Sequence, residues 1–420
     1  MIGRFPFAIF LGLLVVCLFF SPAWAFDVSS FDPLGHRLQK LDELIPGLEA
    51  RGFLMNRTDL DLHGQSGRKG MGRRAKTWDF QMIEWDAEIE LRYRLSDHLE
   101  LVNIDHFLYD ALYDWDHSID VPKGARNELR RYHSSKRILR ELYLKANYKD
   151  WLIQLGKQQV IWGKMDGKVI DIINPQDLRE AVNMDQDDFN FRRLPIWMTN
   201  ATYFWSDYNL QFIWIPDFET SLGPEKGSAW WFPGVHPLAP GTRVSKTDRP
   251  SAAFRNHEWA IQFNMVKHAW DISFIYFYTW DDRPTFFWRG NLFEPQHTRL
   301  HQLGGNVDKN FWFLSRDWAW RMEGLYTLNK YEVTLAPGEP DGAAKKNNLL
   351  VFSSVETNFW NGEVFAFIQP MWRNQFGYDG HLRFLNEKTQ MERSEFSVIL
   401  SLSKHWLDDQ LGFSTTFMYN

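Results

Sequence analysis

A chain of 420 residues with a net charge of −6 and interspersed acidic and basic residues has no basic stripe, which argues against nucleic-acid binding. Its one cysteine, Cys17, sits in an N-terminal apolar run, so a chain processed beyond that run has neither a disulfide nor a thiolate metal site. With 34 Phe, 21 Trp and 14 Tyr the mean hydropathy is still −0.41. After residue 25 there is no apolar stretch of roughly 18 residues, which excludes a helical membrane protein.

The chain opens with Arg4, an apolar run over residues 7–20 and the small-x-small triplet Ala23-Trp24-Ala25. This predicts a signal peptide over 1–25 and a mature chain from Phe26. The run is shorter than the ~20 residues a spanning helix needs. Val16 precedes Cys17 where a lipid-attachment signal requires a small residue. Over 26–50, Leu38, Leu41, Leu44 and Ile45 recur at helical spacing until Pro46-Gly47, predicting a leader or short helix. A first strand is expected at 52–62, and a loop at 64–76, where basic residues and glycines concentrate.

Residues 85–95 carry the sharpest pattern. Trp85, Ala87, Ile89, Leu91, Tyr93 and Leu95 alternate with Asp86, Glu88, Glu90, Arg92 and Arg94. Only a strand separates alternate side chains onto two faces, and one between lipid and a watery lumen needs one apolar and one charged face. Further strands are expected at 142–148, 151–155, 197–205, 209–215, 259–265, 270–280, 318–327, 351–359, 363–372, 396–403 and 411–419, with clear alternation at 142–148, 259–265, 318–327 and 396–403. Tight turns are expected at Lys149-Asp150, Ser206-Asp207, 267–269 and Asn361-Gly362. The last strand places Leu411, Phe413, Thr415, Phe417 and Tyr419 on one face. Outer-membrane barrels resemble one another in ending on such an aromatic strand, which the barrel-insertion machinery reads. Long irregular segments fall at 114–135, 163–195, 216–256, 281–300 and 336–348, as expected of a barrel with short turns at one end and long loops at the other. The fold class is therefore all-β: a transmembrane antiparallel β-barrel over 51–420 with about 14 strands, in a range of about 12 to 16.

Charged side chains on the wet faces, Glu88, Glu90, Arg92, Arg94, Lys145, Arg321 and Glu323, are expected to line the lumen. The loop 163–195 concentrates Asp166, Asp171, Asn174, Asp177, Arg179, Asp185, Asp187, Asp188, Arg192 and Arg193. Opposed acids and bases folded into a narrow lumen would form a constriction; solvated charges on an external loop are the competing reading. Asn174-Pro175 favours a turn, and Asp177 is placed to cap a short helix through Glu180. The acidic run 185–190 lacks the spacing of a calcium loop, and His297 and His301, four apart, share their segment with Pro295, which speaks against a helical zinc pair. No phosphate loop, nucleophile elbow or cofactor motif stands out. Trp230-Trp231-Phe232 and Phe286-Phe287-Trp288 read as membrane-interface anchors, or as receivers of an apolar ligand.

Leu155-Gly156-Lys157-Gln158-Gln159-Val160-Ile161-Trp162-Gly163, then Ile172-Ile173-Asn174-Pro175-Gln176-Asp177-Leu178, together with the opening Gly52-Phe53-Leu54-Met55-Asn56-Arg57-Thr58, resemble a family of proteobacterial outer-membrane proteins known as a domain of unknown function. The resemblance implies an outer-membrane location and, because family members often accompany RND-type exporters and lipoprotein-carrier-like periplasmic proteins, traffic of lipids or other hydrophobic molecules. It supplies no catalytic residues. The expected function is passage of a small or hydrophobic, lipid-like compound through the lumen, with outer-membrane lipid, an RND-type exporter and a periplasmic lipid carrier as partners. A sealed scaffold barrel or a barrel lipid hydrolase are the alternatives.

Overall fold

The structure, a computed structural model, describes residues 45–61, 79–116, 126–130, 138–165, 169–179, 192–224, 243–360, 363–383, 390–406 and 411–419. Its strands are β1 (Leu48–Asp61), β2 (Asp79–Ser96), β3 (Leu99–Asp110), β4 (Leu139–Tyr148), β5 (Trp151–Gln158), β6 (Ile196–Trp205), β7 (Tyr208–Ile215), β8 (Arg243–Val244), β9 (Glu258–Lys267), β10 (Trp270–Trp280), β11 (Thr285–Arg289), β12 (Leu292–Gln296), β13 (Arg299–Phe313), β14 (Arg316–Val333), β15 (Ala343–Phe359), β16 (Val364–Phe376), β17 (Ser394–Trp406) and β18 (Leu411–Tyr419). Fifteen of them form one sheet in simple chain order, every neighbouring pair antiparallel, while β11, β12 and β8 make a small separate sheet. Two short helices, α1 (Leu112–Trp115) and α2 (Arg126–Arg130), sit in the connection after β3.

The strand pattern fixes the two faces. Along β2, Trp85 and Leu95 are exposed while Glu84 and Asp86 are each only 1% exposed, so the charged face is the covered one. Along β10, Phe274 is 65% exposed, whereas Ser273, Ile275 and Phe277 are buried. Long strands with an apolar outer face and a polar inner face are what a transmembrane barrel wall requires.

Aromatic and cationic side chains mark two levels on the outer face. Near the short turns, Lys309 lies 4.0 Å from the Trp270 ring, and Trp151, Tyr203, Trp205, Tyr208 and Phe263 form a run of adjacent rings. Near the long loops, Arg299 lies between Tyr278 (4.5 Å) and Trp280 (4.1 Å). Arg299 and Lys309 are both on β13, and the stretch 299–309 spans about 34 Å at ~3.4 Å per residue. With a strand tilt of ~40° that is about 26 Å along the normal, which matches the ~25 Å apolar band of such barrels.

The short turns all lie at one end. Lys149, Ser206, His268, Ala269, Leu314 and Ser315 have φ between 48° and 62°, the left-handed region that two-residue hairpins require. The turns at Lys149-Asp150, Ser206-Asp207 and His268-Ala269 fall where the sequence places them. Asn361-Gly362 lies outside the described residues, although the hairpin it serves, β15 with β16, is formed.

Several boundaries differ from the sequence reading. The sheet has fifteen strands among the described residues rather than fourteen. Residues 99–110 and 299–313 form strands that the pattern does not place, the second hidden by Gly304-Gly305 in its middle. β1 begins at Leu48, so residues 48–50, assigned to the helical leader, are strand; 26–44 lie outside the described residues. β15 begins at Ala343 and takes the end of the predicted loop 336–348, because the sheet pairs Ala343 with Val333. The loop 281–300 contains β11 and β12, and 114–135 contains part of α1 and all of α2.

Candidate functional site

The segment leaving β5 does not run out over the rim. Residues 159–165 and 169–179 lie against the inner face of the sheet. Val160, Trp162, Val169, Ile170 and Ile173 form one buried cluster with Ile196 and Met198 of β6, Ile213 and Ile215 of β7, Ala260 of β9, Ile275 and Phe277 of β10 and Leu325 of β14. Strands β6 to β14 can touch one short segment only if the sheet wraps around it. The burial follows from inward apolar residues at the loop ends of these strands, which would otherwise face water.

The segment is held at both ends. At one, Glu323 of β14 accepts the backbone N–H groups of Lys164 (2.6 Å) and Met165 (3.0 Å), and is only 1% exposed. Gly163 makes this contact possible: its φ is +85°, and a Cβ there would lie 2.7 Å from Glu323 Oε1 and 2.9 Å from Ile170 Cγ1. The Lys164 ammonium pairs with Asp271 of β10 and lies 3.7 Å from Asp308 of β13. Arg321 pairs in turn with Asp308 (3.3 Å) and with Glu356 of β15. The result is a row of alternating sign: Asp271, Lys164, Asp308, Arg321, Glu356.

At the other end Arg193 forks onto Asp171 at 2.6 and 2.7 Å, and Arg140 of β4 donates to the Arg193 carbonyl (3.4 Å). Asn174 accepts from Val160 N (2.8 Å) and donates to the carbonyls of Leu194 (3.0 Å) and Gln158 (3.3 Å), closing the segment into a compact turn. Asp177 accepts the Arg179 backbone N–H (3.1 Å) and pairs with its guanidinium. It also bridges to Leu222, while Glu180 and the residues that would continue into the expected short helix lie outside the described residues. Arg192 lies next to this turn; Asp166, Asp185, Asp187 and Asp188 lie outside the described residues.

Of the wall charges expected from sequence, Glu88, Glu90 and Arg92 share the inner face of β2, with Arg92 paired to Glu90. Lys145 pairs with Glu100 (3.3 Å). Arg94, at the turn end, faces Glu49 across 3.9 Å. Arg321 and Glu323 join the segment as described, so the structure gathers them with Asp171, Asn174, Arg193 and Lys164, while Glu88 to Arg94 and Lys145 occupy a separate arc.

Arg140 is absent from the sequence reading because strand alternation hides it. The register slips where Ile104 faces Glu141 and Asp105 faces Leu139, which makes Arg140 the bulged residue. This bulge turns both Arg140 and Glu141 inward. The carbonyls it frees are taken by side chains: Lys157 Nζ donates to Leu139 O (2.6 Å) and Asn103 Nδ2 to Glu141 O (3.3 Å). Glu84, Asp86 and His106 are further inward groups that pattern reading passes over; Glu84 pairs with Arg57 (2.9 Å) and Asp86 with His106 (2.6 Å).

His297 and His301 do not converge. His297 bonds the Asp281 carbonyl (2.7 Å) and His301 the Tyr276 hydroxyl (2.8 Å). Trp230-Trp231-Phe232 lie outside the described residues, and Phe286, Phe287 and Trp288 belong to β11 among the long loops.

A wrapped antiparallel wall, apolar outside, ringed by aromatics at two levels and carrying a segment across its inside, defines a transmembrane β-barrel. The family described as "Protein of unknown function (DUF1302)" matches residues 77–388, and the chain belongs to that family. No curated protein matches the sequence. Among solved structures the chain is similar to Salmonella typhi OmpF in complex with daunomycin (7% identity, 89% of this chain and 90% of that one, TM-score 0.43). It is also similar to Pseudomonas aeruginosa OccK8 (OprE) (10% identity, 88% and 82%, TM-score 0.45) and to OccK2 (OpdF) of the same organism in complex with glucuronate (10% identity, 88% and 80%, TM-score 0.45).

Proposed function

We propose that the protein is an outer-membrane conduit for a lipid-like amphiphile, delivered to the outer membrane after removal of residues 1–25. The observation that carries this reading is the inner face of β15 to β18. There the register places Phe352, Met371, Phe365, Phe367, Ile399 and Met418 on the same side as Arg321 and Glu323, among serines, threonine, asparagine and glutamine, with Glu356, Arg373, Glu395 and His405 as the charged or titratable members. A lumen for ions or sugars is polar throughout. A lumen with one apolar arc and one charged arc, formed by Glu88, Glu90, Arg92, Lys145 and their partners, suits a solute with an alkyl part and a polar head. The segment formed by residues 159–165 and 169–179 narrows the passage between them. The short turns face the periplasm, where an RND-type exporter and a lipid carrier would supply the solute.

The test is flux through proteoliposomes. A single-chain fluorescent amphiphile should equilibrate faster than an anionic hydrophilic dye of similar size, and the double variant F365S/F367S should slow the amphiphile alone. Faster passage of the dye overturns the lipid-like substrate, and impermeability to both favours a sealed scaffold. Fatty-acid release from phospholipid vesicles would favour a barrel hydrolase.

A further inference from the structure

The charged row beneath the segment has an unequal origin. Its three acids, Asp271, Asp308 and Glu356, stand on the wall strands β10, β13 and β15, and so does one base, Arg321. The second base, Lys164, comes from the inner segment. Yet the segment is not held by that charge alone. Glu323 grips it by backbone amides, Gly163 fits against the carboxylate, and Ile170 packs over Gly304. The Lys164 side chain is 40% exposed, a compact hydrated ammonium on a flexible stem that a mobile cation can replace.

We propose that Lys164 is a detachable counter-charge that sets the ion selectivity of the conduit. This rests on the conduit reading above. With Lys164 in place the row holds two bases against three acids; without it, one base faces three acids. The excess negative charge lies in a confined passage, where low-dielectric walls focus its field on passing ions. Cations are then favoured. Arg321 cannot play this part, because it is fixed between Asp308 and Glu356 on the wall.

The test uses the full-length protein in planar bilayers under a potassium chloride gradient. Heat-modifiable gel mobility confirms that each variant is folded. Lys164→Gln should raise the potassium-to-chloride permeability ratio about two- to threefold, the effect of one unit charge within a Debye length of the ion path. Asp271→Asn should lower the ratio below wild type, and Lys164→Gln with Asp271→Asn should return it toward wild type. Lys309→Gln, on the outer face over Trp270, should change nothing. An unchanged ratio in both Lys164→Gln and Asp271→Asn overturns the inference while leaving the conduit reading intact, as does an equal shift in Lys309→Gln. A wild-type protein that conducts no ions overturns the inference, and overturns the conduit reading as well if the amphiphile does not pass either.

Discussion

The inner face is built in opposite ways at the two ends of the sheet. On β2 to β4 it is charged and closely compensated: Glu84 with Arg57, Asp86 with His106, Glu90 with Arg92, Glu100 with Lys145. On β15 to β18 it carries Phe352, Phe365, Phe367, Met371, Ile399 and Met418, with Glu356 paired to Arg321 of β14 and the pair Arg373 and Glu395 near the loop end. Charged arcs must satisfy themselves, because an unpaired buried ion costs several kcal/mol. Apolar arcs have no such demand, and exposure to the lumen is what leaves them free to take a solute. The wall is thus rigid and self-satisfied where it is charged, and open to a partner where it is apolar.

The largest expected effect breaks the charged arc. Arg140→Met removes the guanidinium that acts on Glu88, Asp86 and Asp177 and bonds the Arg193 carbonyl. Acids buried beside it lose their compensation, and stability should fall by about 3 kcal/mol. Denaturant unfolding in detergent, followed by tryptophan fluorescence, measures it. A loss well under 1 kcal/mol would mean that water compensates these acids and the arc is wet.

Next comes the segment lying between the arcs. Gly163→Val puts a branched side chain at φ +85°, where the Glu323 carboxylate already sits. The cost should be about 2 kcal/mol, confined to the segment because the wall hydrogen bonds are untouched. Amide exchange of residues 160–165 and 169–173 should accelerate while that of β2 and β3 is unchanged. Equal acceleration everywhere would show that the segment is a folding core of the whole barrel.

Changes in the apolar arc should be cheap for the fold. Phe367→Ser alters a partly exposed side chain, so stability should move by less than about 1 kcal/mol. Amphiphile flux should fall nonetheless. A stability loss comparable to that of Arg140→Met would show that the arc is covered and packed rather than open.

Much of this contrast is legible in the sequence, but unevenly. The β2 pattern of Trp85 to Leu95 against Asp86 to Arg94 gives strand, face and charge together, because apolar and charged residues differ maximally. On β16 the alternation is weak: Phe365, Phe367 and Met371 face in while Ile368 and Trp372 face out, so both faces are apolar and no pattern separates them. Arg140 is illegible for another reason, since a bulge shifts the period by one residue and nothing local announces it. Glu323 can be placed on the inner face by alternation. Its grip on Lys164 and Met165, more than 150 positions earlier in the chain, depends on the sheet wrapping.

The smallest effect concerns the long loops that lie above both arcs. His297 is buried, with its ring 4.6 Å from Phe218 and Nδ1 bonded to the Asp281 carbonyl. If Nδ1 carries the proton, Nε2 is a bare acceptor, and among the described residues it has no partner. A second proton there would be buried without an acceptor, so burial holds the imidazole below its ordinary value of about 6.5. The sign follows. Above that value both the packed and the opened loop are neutral at His297. As pH falls through about 6.5 and towards the lowered value, the opened loop takes the proton first, and packing weakens. Limited proteolysis of the loops should therefore speed up between neutral and mildly acidic pH in the wild type and less so in His297→Gln. Asp282, whose carboxyl burial holds well above the carboxylate range, titrates in both proteins and cancels in the difference. Identical pH profiles for the two proteins would place the His297 ring in water, and the loops above the barrel would then open independently of it.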